Sequence, residues 1–207
     1  TKILWSRYGT RVTPSWIFYP EVVLAMRKSV WMHISLGAVV AAALAVSCSF
    51  AAPEQFVNAN GYWEVTYTDV TFQWKVVGVD LEVILSAPTA GWVAVGFDPT
   101  TRMKDANIII GYVSGGVATV RDDYAHLATD HQADTAAGAG GVDNLTAVSG
   151  TESGGVTEIR FTIPLNSGDI RDRPLTQGNP HKVILAYGAK DNFVLKHAKR
   201  GSMTITL

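Results

Sequence analysis

The sequence predicts an all-β fold, an immunoglobulin-like antiparallel β-sandwich of about ten strands. Three observations lead there. Beyond Gly61, short runs rich in aromatic and β-branched residues alternate with clusters of Gly, Pro, Asn and Asp. No long stretch carries helical periodicity. Of the 207 residues 47% are apolar and 17% charged, which gives the chain enough apolar surface to build a core.

Taken in order, residues 62–70 (YWEVTYTDV) alternate in the manner of a half-buried strand, 72–77 repeat the theme, and 81–85 follow the turn signals Gly78 and Asp80. The runs 91–97 (GWVAVGF) and 108–113 (IIIGYV) are short and apolar, as central strands are. Further strands are expected at 117–120, 145–148, 156–163, 183–187 and 203–207. Gly115-Gly116 and Gly154-Gly155 read as hairpin turns rather than phosphate-cradling loops. A short helical turn is expected near 164–168. Residues 121–143 (RDDYAHLATDHQADTAAGAGGVD) show no convincing strand and read as a long rim loop.

The first fifty residues follow a different logic. Arg27 and Lys28 precede an apolar run, ISLGAVVAAALAV at 34–46, that is too short for a bilayer-spanning helix and fits a secretory signal starting at Met26. The expected organisation is upstream sequence at 1–25, a signal peptide or lipoprotein signal at 26–51, and one domain at 52–207. Ala45-Val46-Ser47-Cys48 is a loose lipoprotein box, so lipid on Cys48 would attach the domain to a membrane; Ser49-Phe50-Ala51 offers ordinary cleavage instead. Either route places the protein outside the cytoplasm, in a periplasm, in the medium or lipid-anchored at an outer membrane face.

Charge and cysteine content exclude several functions. Residues 1–47 carry five Lys/Arg against Glu21, which leaves twelve basic and seventeen acidic residues in the remainder, a net charge of −5. Such a body is a poor grip for phosphate backbones, and no nucleic-acid partner is expected. One cysteine forbids an intrachain disulfide, an iron–sulfur cluster on cysteines and a thiolate zinc site. No HExxH, GxSxG or CxxCH is present, so zinc-protease, serine-hydrolase and covalent haem chemistry lack their motifs.

Two groups of residues could carry chemistry. Asp122, Asp123, His126, Asp130, His131 and Asp134 crowd one segment and could bind a divalent cation, although a solvated acidic loop explains them more simply. Met103 follows a strongly apolar strand among polar neighbours, and His197 lies in the basic run LKHAKRG before the last strand. Thioether and imidazole are an axial pair for haem iron. Periodicity alone cannot join two residues so far apart, and each has an ordinary reading as a core plug or an exposed histidine.

The run GWVAVGFDPTTRMKDANIIIGYV at 91–113 resembles the central signature of DOMON domains, a Gly-Trp-x-Ala-x-Gly-Phe strand followed by a Met, an Ala-Asp or Ala-Asn step and an apolar strand. ILAYGAKDNFVLKHAKRGSMTITL at 184–207 resembles the family's closing hairpin, with a His and an Arg-Gly pair before the final strand. Asn107 departs from the more usual Asp. In haem-binding members, such as the cytochrome domain of cellobiose dehydrogenase, the resemblance implies a non-covalent haem b held between Met103 and His197. It also implies apolar walls, for which Trp92, Tyr112 and Tyr187 are candidates, and basic contacts to the propionates, for which Arg200, Lys196, Lys199 and Arg102 are the nearest in sequence.

The expected function is therefore an extracytoplasmic electron-transfer module rather than an enzyme, serving a separate redox partner such as a membrane cytochrome, a flavoenzyme or a respiratory complex. Shared ligation is expected to bring the loop after Phe97 and the segment before Gly201 to the same end, with haem across the mouth of the sandwich. The alternative is a carbohydrate-binding module without haem, stacking sugars on Trp63, Trp74 or Trp92. A metal-dependent enzyme built on the Asp/His segment ranks third.

Overall fold

The structure, a computed structural model, describes residues 52–207. The expected upstream sequence, signal and Cys48 lie outside the described residues. Twelve strands follow in order: β1 (Phe56–Val57), β2 (Trp63–Tyr67), β3 (Val70–Val77), β4 (Asp80–Ala87), β5 (Val93–Phe97), β6 (Asn107–Ser114), β7 (Val117–Leu127), β8 (Asp130–Ala133), β9 (Thr146–Ser153), β10 (Val156–Pro164), β11 (Pro180–Tyr187) and β12 (Lys199–Thr206). They pair antiparallel into two six-stranded sheets, the first ordered β1-β2-β3-β4-β10-β9 and the second β12-β11-β5-β6-β7-β8.

Local chemistry explains the turns. Gly115 and Gly116 (φ 57° and 79°) join β6 to β7, and Gly154 and Gly155 (φ 61° and 77°) join β9 to β10, so the expected hairpins form where two successive residues can take positive φ. Three expectations need correction. The strand read across 62–70 is broken by a tight turn at Thr68 and Asp69, both at positive φ, because neither residue announces a turn as Gly does. The supposed loop at 121–143 holds most of β7 and all of β8; its strand character was hidden by the consecutive polar residues Arg121, Asp122 and Asp123, which fall on both faces of β7. No helix is present among the described residues, and 165–170 is irregular.

The core lies between the sheets. Val65, Phe72, Trp74, Leu81, Val83 and Leu85 of the first sheet meet Val93, Val95, Phe97, Ile109, Val183, Leu185 and Ile205 of the second, all 0–1% exposed. Each fully buried aliphatic side chain stabilises the fold by about 1.5–3 kcal/mol relative to exposure. Phe72 stacks on Trp74 at 4.9 Å and meets Phe97 edge-on at 6.3 Å, while the Trp74 Nε1–H donates to the Thr206 carbonyl at 3.2 Å.

A second apolar cluster sits on the opposite face of the second sheet, turned away from the core. Alternate residues of the same strands build it: Trp92 and Ala94 from β5 and its approach, Ile108 and Ile110 from β6, with Ala106 and Ala125. Tyr112, Ile184 and Ala186 pack against them. An antiparallel sheet usually leaves one face polar, so a face that is apolar on both sides requires a cover.

Candidate functional site

The register of the second sheet sets the outer face out in rows. Arg200, Ala186, Ala94, Ile110 and Arg121 stand side by side across five strands, because each pairs directly with the next. The neighbouring row is Ser202, Ile184, Gly96, Ile108 and Asp123. The middle of the face is therefore made of Ala94, Gly96 and Ala186, a shallow apolar floor, and an arginine stands at each end of one row. At Gly96 a Cβ would come within 2.8 Å of Ile184 Cγ1 and 3.1 Å of Ile108 Cγ1, so these isoleucines close over the glycine.

Two loops reach over this floor from opposite ends. The β5–β6 loop carries Met103 and is held in an unusual conformation, with Asp98, Arg102 and Asp105 at positive φ (49°, 56° and 62°). Two bonds hold it internally, the Thr100 hydroxyl donating to Asp105 Oδ2 at 2.6 Å and the Ala106 N–H to the Met103 carbonyl at 3.0 Å, and Arg173 Nε, from the β10–β11 connection, donates to the Asp105 carbonyl at 2.7 Å. Asp98 ties the loop to β11, accepting from His181 Nδ1 at 2.7 Å and from the Lys182 N–H at 3.0 Å. The result lays Met103 against the outer cluster.

The β11–β12 loop comes from the other end. Phe193 packs on the cluster, 5.0 Å from the Tyr112 ring, and the Arg121 guanidinium lies 4.7 Å from the Phe193 centroid. Arg121 is aimed by Asp123, a 0% exposed carboxylate that receives Arg121 Nε at 2.5 Å and its terminal nitrogen at 2.6 Å, and also contacts His131 Nδ1 at 2.5 Å. Four residues after Phe193 comes His197, partly buried. Burial first, then the Arg200 charge, holds its imidazole below the ordinary value. A histidine kept neutral is one able to ligate a metal.

At the start of this loop the Trp92 indole lies across Gly188, where a Cβ would fall 2.3 Å from Nε1, so no other residue fits. That Nε1–H is buried and finds no acceptor among the described residues. A buried donor left unpaired costs about 1–3 kcal/mol. Met103 and Phe193 bring their two loops onto the cluster, and His197 follows four residues after Phe193. A small-residue floor, an unpaired donor, a thioether and an imidazole are the chemistry that a flat, apolar, metal-centred group with polar substituents asks for.

Residues 66–188 match the DOMON domain family. The chain belongs to that family. Among solved structures this DOMON domain is similar to the cytochrome b domain of pyranose dehydrogenase from Coprinopsis cinerea, with 13% identity, a TM-score of 0.54, and 74% of this chain and 87% of that chain covered. It is similar also to the cytochrome domain of Myriococcum thermophilum cellobiose dehydrogenase, with 11% identity, a TM-score of 0.53, and 75% and 88% covered. At that identity the likeness concerns the fold. By sequence, the chain is 29% identical over 118 residues to the human DBH-like monooxygenase protein 1, matching 57% of this chain and 18% of that protein's length.

Several site expectations are redrawn by the DOMON structure. The loop after Phe97 and the segment before Gly201 do not leave the sheet at the same end: Phe97 pairs with Val183 and Val93 with Tyr187, so the two loops start at opposite ends and converge over the outer face. The candidate site is thus on that face and not across the mouth of the sandwich. Tyr187 belongs to the inter-sheet core, on the opposite side from Trp92 and Tyr112, since strand alternation gives the outer position to Ala186. Lys199 pairs with Asp69 of the β2–β3 turn, whereas Arg200, Lys196 and Arg102 are exposed. Trp74 and Trp92 are buried at 0% and 5%, and of the three sugar-platform candidates only Trp63 is open to solvent.

The Asp/His segment separates into three groups. Asp123, His131 and Arg121 form the clamp under Phe193, and His126 faces Asp130 at 3.5 Å. Asp122 and Asp134 point elsewhere and meet Asp172, a residue outside that segment. Burial first, with neighbouring carboxylates adding to it, pushes the Asp122 carboxyl up to about 8 and the Asp134 carboxyl up to about 7. Arg121, Phe193 and the Ala/Gly floor were not among the residues singled out from sequence. The signal for the floor was present, in the alternation of large and small residues along 93–97 and 183–187.

Proposed function

We propose that this DOMON domain is an extracytoplasmic, non-covalent haem b module that passes single electrons to and from a separate redox partner. The observation that carries the reading is the packing of Met103 and Phe193, from two loops that start at opposite ends of the sheet, on one apolar face floored by Ala94, Gly96 and Ala186, with His197 four residues beyond Phe193. Haem bound there would supply a one-electron couple tuned by its axial ligands.

The residues of the chain divide the work. His197, held neutral, would be the stronger ligand and Met103 the softer one that favours the reduced state. Trp92 and Tyr112 would exclude water from the apolar edge, and Arg200 with Lys196 would face the charged substituents. Arg121, fixed by Asp123, holds Phe193 and so the His197 loop. If Met103 and His197 both held the iron, no coordination position would be left for a substrate, and the group would supply electron transfer rather than catalysis. Exposed tryptophan is confined to Trp63 among the three platform candidates, which weakens the carbohydrate reading. The cytochrome domains among the structural neighbours support the reading at the level of fold.

Absorption spectra of the chain titrated with haem test it. A saturable Soret band with sharp α and β bands on reduction is expected. A chain that takes up no haem at stoichiometric concentration, yet binds an oligosaccharide, would replace this reading with the carbohydrate one.

A further inference from the structure

We propose that Asp122, Asp134 and Asp172 form a binding site for a divalent cation of the calcium type, separate from the outer face. Asp122 lies in β7, Asp134 follows β8, and Asp172 belongs to the β10–β11 connection. One carboxylate oxygen from each lies within 4.8 Å of the others. Calcium holds oxygen ligands at about 2.3–2.6 Å, so donors across its sphere are roughly 4.6–5.2 Å apart.

The unpaired atoms point to a ligand independently of the clustering. Asp134 is 0% exposed and neither of its carboxylate oxygens has a partner among the described residues. Asp122, 2% exposed, uses Oδ2 to accept the Asn144 N–H at 3.0 Å and leaves Oδ1 unpaired. Asp172 likewise accepts the Ser167 hydroxyl on Oδ2 at 2.5 Å and leaves Oδ1 unpaired. Four buried carboxylate oxygens without a donor are expensive unless a cation joins them.

No side-chain cation among the described residues does so. Arg171, the neighbour of Asp172, directs Nε to the Ala139 carbonyl at 2.6 Å and sets its guanidinium 4.3 Å from the Tyr124 ring centroid. Backbone bonds pin the donors in place: the Asp134 N–H donates to the Asp122 carbonyl at 3.0 Å, and the Asp134 carbonyl accepts from Gly141 at 3.2 Å. Three carboxylates are a hard oxygen set, suited to calcium or magnesium and unsuited to soft metals. The bound ion would tie the β7–β8 edge to the β10–β11 connection. Because Asp123, next in β7, aims Arg121 at Phe193, the same ion would steady the strand beneath the His197 loop.

Calorimetric titration of the chelator-stripped full chain with calcium chloride, beside thermal melts, tests the site. One calcium per chain with a dissociation constant of about 1 mM or tighter is expected, with a rise in Tm on the order of 5 °C at saturation. Asp134→Asn and Asp172→Asn should each weaken binding at least about tenfold. In chelator, Asp134→Asn should melt no lower than the parent, since a buried charge is gone. If Asp134→Asn does not fold, the loss of calcium affinity in Asp172→Asn, at a partly exposed position, decides. Absence of binding heat and of any Tm change in the parent chain overturns the proposal, as does undiminished affinity in the variants. A higher melting point on removing the charge, without any calcium response in the parent, would mean that the carboxyls share protons and bind no ion.

Discussion

The two faces of the second sheet are built from the same strands and differ in one respect. Inward, β5 and β11 present Val93, Val95, Phe97, Val183, Leu185 and Tyr187, large residues that the first sheet covers. Outward, they present Ala94, Gly96, Ile184 and Ala186, mostly small residues that two loops reach over. Packing alone asks for bulk on an apolar face, because small residues leave room that dispersion contacts do not fill. Small residues set into an apolar face instead mark where another apolar body is to lie. The inner face makes the fold, and in the function proposed above the outer face takes a ligand.

Substitution on each face should separate these roles. Leu185→Ala, in the inner face, should lower stability by about 2–5 kcal/mol in denaturant melts while any folded fraction still takes up haem. Ala186→Leu, one residue away and outward, should leave the melt nearly unchanged and reduce haem affinity by more than about tenfold, as a side chain occupies the floor. If the two variants lose haem equally at equal folded fraction, the contrast between the faces fails.

A smaller effect is expected at the clamp. Asp123→Asn removes the charge that aims Arg121 and meets His131, and should cost about 1–3 kcal/mol in chemical denaturation and weaken haem retention through the Phe193 loop. Retention equal to the parent's would show that the clamp serves the fold alone.

The smallest effect is a dependence on pH in the metal-free chain. Asp122 and Asp134 keep their protons in the folded state up to about 8 and about 7, against an ordinary value of 3.8. A raised carboxyl contributes stability that is full below its unfolded value and is lost as pH rises through the folded one. The melting temperature in chelator should therefore fall between about pH 5 and about pH 9. A flat or rising profile across that window would contradict the burial assigned to these carboxylates.

Much of this was legible in the residues. Strand runs such as GWVAVGF announce themselves because both faces of the strand are apolar, and the Gly-Gly hairpins need positive φ that glycine alone adopts freely. The second part of β7, beyond the expected 117–120, was missed because Arg121 and Asp123 carry charges that read as loop until their mutual clamp is seen. The Thr68-Asp69 turn was missed because the alternation of 62–67 runs on into it without a glycine or proline, so that Asp69 was read as part of the strand. The segments that carry Met103 and His197 were singled out from sequence, yet their departure from opposite ends of the sheet depends on the register of β5 with β11, which no local pattern encodes. Tyr187 was placed on the wrong face for the same reason, since a shift of one position exchanges inside and outside.

The central claim is that Met103 and His197 hold one iron over the outer face. Redox titration of the haem-loaded chain, with His197→Ala and Met103→Ala beside the parent, addresses it most directly. The account predicts that His197→Ala loses most of its haem, and that Met103→Ala keeps part of it with an altered spectrum and a lower reduction potential, because the softer ligand that favours ferrous iron is gone. Parent-like spectra and potentials in both variants would contradict it.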